Sequence, residues 1–343
     1  MTSNLFDHYQ IQVSNYLRLQ CWDNVPVMSG RTFTVTFLAG GEYNLNYILE
    51  SANNKLIFRV NIGTQIARDD QIEYEYNTLK LLQGSGVTPT PYFVDDSRSL
   101  IDRGILIMEC LDGCPLDYHQ DLTAAAQIFS TIHQVAIEER SNHLIIEQKP
   151  LSLIYGESAG LLEKYFRSDL AKPAIRAFLE KLLIWAEGEK NKEHYFIADP
   201  WLCIVNTEVN SGNFIISKDK NSAYLIDWEM ARFGDPSSDL CHFCSPLTTL
   251  WKSDYKMSPD AQTTFLKEYT RHVRSRHLRD TLAERIRLKL PFVMLRGISW
   301  SAMGWVAYQT DYQGIRNEET RKKLSQYMDL DFIKELFSPF IAT

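Results

Sequence analysis

The sequence predicts an α+β protein with an antiparallel β-sheet in its first third and a mainly α-helical remainder. Two textures carry that expectation. Between residues 31 and 61 the chain alternates apolar and polar residues in three short runs, the period of half-buried strands. From Leu122 onward apolar residues recur at helical spacing, and only three brief strand signals interrupt them.

Taken in order, NLFDHYQIQVSNYLRLQC (4–21) places Leu5, Tyr9, Val13 and Leu17 on one helical face. RTFTVTFLAG and NLNYILES read as strands joined at Gly40-Gly41. The pair Asn53-Asn54 reads as a hairpin turn, and KLIFRVN as the returning strand. DQIEYEYNTLKLLQGSG has helical period and stops at Gly84 and Gly86. After the Pro-punctuated TPTPYFVDD, GILIMECLDG reads as a buried strand. TAAAQIFSTIHQVAIEE, KPAIRAFLEKLLIWAEGEKN, PDAQTTFLKEYTRHVRS and the stretch from Asp280 to Tyr308 read as helices. WLCIV, NFIIS and AYLIDW read as strands. The connector near Glu109–Gly113 divides the chain into 1–109 and 110–343.

The bulk numbers narrow the function classes. A chain of 343 residues fits two domains or one bilobal unit. With 45% hydrophobic and 23% charged residues it is an ordinary globular mixture. A net charge of −7 argues against general nucleic-acid binding, which needs a basic surface. MTSNLFDHYQIQ does not read as a secretory signal. The most apolar stretch, LPFVMLRGISWSAMGWVAY, carries Arg296 and reads as a buried helix rather than a membrane span. The six cysteines, at 21, 110, 114, 203, 241 and 244, are scattered. Cys241 and Cys244 form a lone CxxC, so reduced thiols of a cytoplasmic protein are expected.

The chemistry concentrates between Asn206 and Asp239. NFIISKDKNSAYLIDW reads as strand, Lys-Asp-Lys-Asn turn and strand. The residue before the first strand of such a ribbon and the residue after the second lie at the same end, which predicts that Asn213 and Asp227 approach each other. An amide oxygen with a carboxylate is a hard oxygen pair, suited to Mg2+ that also keeps waters and phosphate oxygens. Glu208 lies just upstream, as a base beside a metal would. A base, two metal ligands and a hairpin holding them is the layout of phosphoryl transfer, where protein groups mainly position and neutralise. Each Asn or Asp taken singly also fits an ordinary turn residue.

The set resembles the aminoglycoside phosphotransferase-like kinases, relatives of choline and homoserine kinases with a bilobal protein-kinase-like fold. Their catalytic loop usually reads His-Gly-Asp-Leu-His-Pro-Gly-Asn, followed by an apolar strand and Ile-Asp-Trp/Phe-Glu. Here Asn206-Thr207-Glu208-Val209-Asn210-Ser211-Gly212-Asn213 is followed by Phe214-Ile215-Ile216 and by Ile226-Asp227-Trp228-Glu229. Gly234-Asp235-Pro236 and Asp239-Leu240 are also similar to the family's pattern. The resemblance implies a small-molecule kinase using ATP and Mg2+, with an N-terminal lobe over the nucleotide and a helical lobe carrying the acceptor. It implies that Gly40, Gly41 and Asn44 belong to a loop over the phosphates. Arg59 becomes the cation for the α- and β-phosphates, Glu75 its helix partner with Glu73 as competitor, and Glu109, Cys110 and Leu111 the hinge for adenine. His133 is read as structural. Asn213 and Asp227 become the metal ligands and Glu208 the catalytic base.

The departures matter. Where the family has Asp, Glu208 carries its carboxylate about one C–C bond, roughly 1.5 Å, further out, and misplacements of ~1 Å can lower rates about a hundredfold. Asn206 replaces His and Ser211 replaces Pro. Two readings follow: an active kinase for a small-molecule hydroxyl (aminoglycoside-, choline- or sugar-like), or a pseudokinase that binds nucleotide with lost or slow chemistry. For the acceptor, Trp251, Trp300, Trp305 and Tyr308 with Asp311, Glu318 and Glu319 would suit a cationic molecule, although Trp300 and Trp305 also read as core residues of a small-residue helix.

Overall fold

The computed structural model describes residues 2–138, 142–310 and 317–341. The chain forms two compact units. The first comprises Met1–Cys114, Arg140–Leu144 and Ile215–Ala231; the second comprises Pro115–Glu139, Ile145–Phe214 and Arg232–Thr343.

The first unit opens with helix α1 (Thr2–Leu19). Its buried stripe is Tyr9, Val13 and Tyr16, at i, i+4 and i+7. Leu5, expected on that stripe, is 36% exposed, and Tyr16 takes the inward position in place of Leu17. Tyr16 meets Phe58 edge to face, and Gln10 Nε2 donates to the Val35 carbonyl at 3.0 Å. The sheet contains β1 (Thr34–Gly40), β2 (Asn44–Glu50) and β3 (Lys55–Asn61). Helix α2 (Gln71–Leu82) follows, then β4 (Pro91–Asp95) and β5 (Ile105–Glu109). Strand order is β1-β2-β3-β5-β4, and every pairing is antiparallel. Helix α2 gives way to a single 3-10 turn and stops at Gly86 in the left-handed region (φ 72°), where glycine lacks the Cβ penalty. Gly104 lets α2 lie against β5: a Cβ there would stand 2.5 Å from the Ile72 side chain.

The second unit includes helix α3 (Leu122–Ile132), α4 (Pro150–Phe166), α5 (Pro173–Glu189) and α6 (His194–Ala198). Short strands β6 (Cys114–Pro115), β7 (Ile145–Ile146), β8 (Cys203–Val205), β9 (Phe214–Ile216), β10 (Ala223–Leu225) and β11 (Arg232–Gly234) punctuate the later chain. Of these, β7, β11 and β8 pair in that order inside the second unit. It is completed by α7 (Ser237–Cys244), α8 (Pro246–Thr249), α9 (Pro259–His272), α10 (Arg276–Gln309), α11 (Glu318–Tyr327) and α12 (Leu330–Phe337). Its core gathers Leu162 and Tyr165 of α4, Leu179 and Leu182 of α5, Leu295 and Ile298 of α10, and Ile333 and Phe337 of α12. Ser275 starts α10 by accepting from the Leu278 amide, and Pro291 sits within it.

Three expectations change. The helix expected over 123–139 ends at Ile132, because the His133 ring bonds Tyr269 and Asp239 and Gln134 reaches the His272 carbonyl. Strands β6, β7 and β11 are too short to give a periodic signal. AYLIDW is strand only through Leu225, after which Asp227 adopts φ 66°. Among the described residues no helix is long and apolar enough to cross a membrane.

Candidate active site

In the first unit the centre is Arg59, in the middle strand β3. It is 4% exposed and reaches the 1%-exposed Glu75 of α2 at 2.5 Å and Asp227 at 2.8 Å. Its Nε donates to Asn46 Oδ1 at 3.0 Å. Glu75 also accepts from the Trp228 amide at 3.2 Å, tying α2 to the segment that carries Asp227. Glu229 is buried and accepts from Asn44 Nδ2 and Gln71 Nε2, each at 2.6 Å. Burial opposes the charge on Arg59, but Glu75, Asp227 and Glu229 outweigh it, and the guanidinium pKa is raised. Glu75 moves up as well: burial drives it and Asp227 adds, against Arg59. One cation among three acids explains both directions. That donor set is all oxygen with more negative than positive charge, the chemistry a hard divalent cation takes. Of the two candidate partners, Glu75 faces Arg59 and Glu73 is exposed.

The other expected nucleotide residues lie along the same sheet. Gly40 ends β1. Gly41 N–H closes the turn on the Asn44 carbonyl at 2.9 Å, and the space a Cβ would fill at Gly41 is open, its nearest atom 4.0 Å away. The Asn44 side chain is engaged with Glu229 and Asn61. Glu109 ends β5 and pairs with Thr90 twice, backbone to backbone at 2.9 Å and through Oε2 at 3.1 Å. Cys110 and Leu111 follow outside the strand, and burial pushes the Cys110 thiol up. The 215–231 segment contributes a hairpin closed by Ser217 N–H on Ser222 O at 2.9 Å.

In the second unit the loop from Asn206 to Asn213 is held at every turn. Asp239, fully buried at the start of α7, accepts from the Asn206 amide at 2.9 Å and the Thr207 amide at 2.8 Å. His133 supports the same carboxylate at 3.2 Å and holds Tyr269 at 3.0 Å, so its role is structural. Asn206 Oδ1 accepts from the Glu208 amide at 2.9 Å. Asn213 Nδ2 donates to the Glu208 carbonyl at 2.6 Å, which turns its Oδ1 away as the donor a cation would use. Asn210 Oδ1 caps the Gly212 amide at 3.0 Å. Phe214 anchors the loop's end among Phe129 and Phe243, whose ring lies tilted against Phe265 at 4.8 Å. Thr207 sits at φ 66°, a left-handed position that a β-branched side chain strongly disfavours. Such strain persists only where surrounding bonds enforce it. Asp239 belongs to the motif pattern, but neither its anchoring of the Asn206 and Thr207 amides nor the Thr207 strain can be read from that pattern.

The aromatic acceptor residues are packed. Trp251 meets Trp300 at 5.5 Å and Tyr327 at 6.2 Å, and both Trp251 and Trp305 lie against the core. Lys172 Nζ stands 5.6 Å over the Trp305 ring, so the face a cationic ligand would use already carries a cation of the chain. Tyr308 is buried, Glu318 pairs with Arg321, and Glu319 is exposed. Asp311 lies outside the described residues. The six cysteines are free, with Cys241 and Cys244 pushed up by burial.

Known structures share this architecture. The ethanolamine kinase of Plasmodium vivax superposes with a TM-score of 0.65 at 13% identity, over 97% of this chain and 89% of that one. Spectinomycin phosphotransferase APH(9)-Ia, solved with ADP and spectinomycin, gives 0.61 at 13% identity, over 93% and 97%. The choline kinase of Cryptosporidium parvum gives 0.55 at 13%, over 99% and 97%. At such identities the likeness is one of fold. Among curated proteins no sequence match was found. The model of the phosphotransferase enzyme family, however, matches residues 34–279, from β1 into the first turn of α10. That span takes in Arg59, Glu75, Glu208, Asn213, Asp227 and Asp239, and with it the chain belongs to the phosphotransferase enzyme family.

Proposed function

We propose that the protein is an ATP-dependent phosphotransferase that moves the γ-phosphate to a hydroxyl of a small molecule. The observation that carries this reading is the Arg59 network: a buried guanidinium fixed by Glu75 and Asp227, with Glu229 close enough to stabilise its charge. Such a cation, held without side-chain freedom, suits the α- and β-phosphates of a nucleotide, because its orientation is set before the ligand arrives. Gly40, Gly41 and Asn44 are assigned to the loop over those phosphates, and the backbone of Glu109, Cys110 and Leu111 to adenine. Asn213 and Asp227 are the proposed Mg2+ ligands, both offering hard oxygens. Bound Mg2+ neutralises phosphate charge and aligns the transferred group.

Glu208 is the proposed base. Its peptide is clamped on both sides, by Asn206 at the amide and Asn213 at the carbonyl. That clamp holds the Glu208 backbone in one position, which supports a role for its carboxylate in place of the family's Asp. The carboxylate accepts the acceptor's hydroxyl proton as the oxygen attacks phosphorus.

The alternative, a nucleotide-binding module with lost or slow chemistry, rests on Glu208 and Asn206 replacing the family's Asp and His. Calorimetric titration of ATP with and without Mg2+ tests the nucleotide site, and Asp227→Asn should abolish the Mg2+ dependence. ATP turnover against a panel of alcohols, in wild type and Glu208→Gln, separates the two readings. Tight Mg2+-dependent binding with no acceptor phosphorylated favours the module.

A further inference from the structure

The loop from Asn206 to Asn213 carries one carboxylate, Glu208, and no cationic side chain. Phosphoryl transfer beside that carboxylate calls for positive charge as well, because the transferred group spreads negative charge over its oxygens. In the pattern the loop resembles, a His stands at the position of Asn210, a side chain able to carry charge. Here Asn210 is neutral and turned back on the loop, its Oδ1 accepting from the Gly212 amide at 3.0 Å. Several cations of the second unit are held by carboxylates. Arg232, whose strand pairs with β8 at Val205, reaches Glu157 at 2.5 Å and Glu147 at 4.0 Å. Lys289 meets Glu147 and Arg296 meets Glu157, each at 2.8 Å. Arg285 is fully buried with Asp235 at 2.5 Å and Asp199 at 2.8 Å.

Lys252, in the turn that follows α8, differs from all of these. It is exposed, and among the described residues it has no hydrogen bond and no ion pair. Its stem lies against the catalytic loop: a Cβ added at Gly212 would stand 3.8 Å from Lys252 Cγ, ordinary van der Waals contact. The ammonium is three bonds beyond Cγ and so reaches roughly 4 Å further on a flexible stem. Asn213 is the next residue after Gly212, and its amide holds the Glu208 carbonyl at 2.6 Å. The Lys252 stem, Asn213 and Glu208 thus gather around one short stretch of backbone. The base of the arm is fixed on both sides. The Trp251 amide donates to the Thr248 carbonyl at 3.1 Å, and its ring meets Trp300 at 5.5 Å. Ser253 Oγ donates to the Thr249 carbonyl at 2.6 Å, and Tyr255 stacks on Tyr118 at 5.2 Å. Asp254, the carboxylate nearest in sequence, pairs with Lys323 at 3.4 Å.

We propose that Lys252 is a further catalytic residue, binding the terminal phosphate of the nucleotide at the catalytic loop and supplying the positive charge the loop lacks. The inference rests on the phosphotransferase reading of the site. During transfer the acceptor oxygen forms its bond to the γ-phosphorus, and the bond from that phosphorus to the β-phosphate oxygen breaks. The hydroxyl proton passes to Glu208 and the bonding pair leaves with ADP. Lys252 keeps its proton throughout, and its ammonium donates to the γ-phosphate oxygens as their charge shifts. An unpaired lysine suits this role: no ion pair has to be broken before it turns to the phosphate, and its end can follow the group as it moves.

The test uses the full chain with Mg2+ and compares two nucleotides by calorimetry: ADP and the β,γ-imido analogue of ATP, which differ in the terminal phosphate. No acceptor is needed for this arm. Lys252→Met should weaken the analogue ~10-fold or more and leave ADP within about 2-fold, because a hydrogen bond to a charged group is lost only where the γ-phosphate is present. Lys252→Arg should recover most of the affinity. Lys256→Met, which removes the same charge from an exposed lysine four residues on, should move neither nucleotide. Turnover, read as ADP release with water and with a panel of alcohols, should fall ~100-fold or more in Lys252→Met. Analogue affinity unmoved by Lys252→Met overturns the proposal, as does an equal loss for both nucleotides or an equal effect of Lys256→Met. In each of these cases the nucleotide site itself stands. If wild type binds neither nucleotide, the phosphotransferase reading fails and the role of Lys252 with it.

Discussion

Asp239→Asn exchanges one buried carboxylate oxygen for an NH2 group and changes nothing else in shape. In the native protein Oδ1 accepts from the Thr207 amide at 2.8 Å, while Oδ2 accepts from Asn206 at 2.9 Å and meets His133 at 3.2 Å. An asparagine has one acceptor, so one of the two amides must face a donor. Losing a hydrogen bond to a charged group removes about 1.5–3 kcal/mol, and leaving the buried N–H unpaired adds about 1–3 kcal/mol. The sum is about 2.5–6 kcal/mol, or roughly 5–24 °C in Tm at ~2–4 °C per kcal/mol. The same bonds hold Thr207 at φ 66°, a conformation that opposes them by about 1–2 kcal/mol. The variant should therefore release the loop locally before it unfolds globally. Thermal unfolding gives the first quantity, and hydrogen exchange at the Asn206 and Thr207 amides gives the second. A Tm within about 2 °C of wild type, with unchanged exchange at both amides, would show that Asp239 does not anchor the loop.

Other perturbations separate positioning, charge and chemistry. Glu208→Gln should lower kcat by ~100-fold or more with nucleotide affinity unchanged, and Glu208→Asp by about 100-fold because the carboxylate retreats roughly 1.5 Å; a fully active Asp variant would show that the loop is not set for Glu. Arg59→Met leaves Glu75 and Glu229 buried without their cation and should destabilise the first unit by about 3–5 kcal/mol, measured by urea unfolding, with saturating Mg2+ recovering part of the loss. His242 gives a pH signature. Its folded pKa, about 4, lies below the ordinary 6.5, so between those values the unfolded chain holds a proton that the folded chain does not. Stability is complete above about pH 6.5 and falls as pH drops toward 4, by about 2 kcal/mol at pH 5. His242→Gln, which keeps a donor for the Thr207 carbonyl, should flatten that part of the profile, and an unaltered slope in the variant would exclude His242 as its source.

Period and spacing made much of the fold legible. The alternation in β2 and β3, Asn53-Asn54 between them and the stop at Gly86 are local signals, because strand pleat, tight turns and helix ends each restrict residue type over a few positions. The motif running from Asn206 through Asp239 was equally legible, being compact in sequence. Segments such as β6, β7 and β11 span two or three residues and exist only because partners pair with them, so no window could detect them. Helix α4 gives a sequence signal only at Pro150, its first residue; its interior glycines and mixed faces give none.

By itself, then, the sequence determined the α+β class, the family motif, and which residue types stand ready for phosphate and metal. Tertiary structure decided between Glu73 and Glu75, since only packing of α2 on the sheet puts one of them against Arg59. It also decided that Trp305 faces Lys172 and that Arg232 and Arg296, far apart in the chain, share Glu157. The physical reason is common to all three. Charge and aromatic interactions fall off within a few ångströms, and which groups come that close depends on how helices and strands pack, not on the order in which their residues are written.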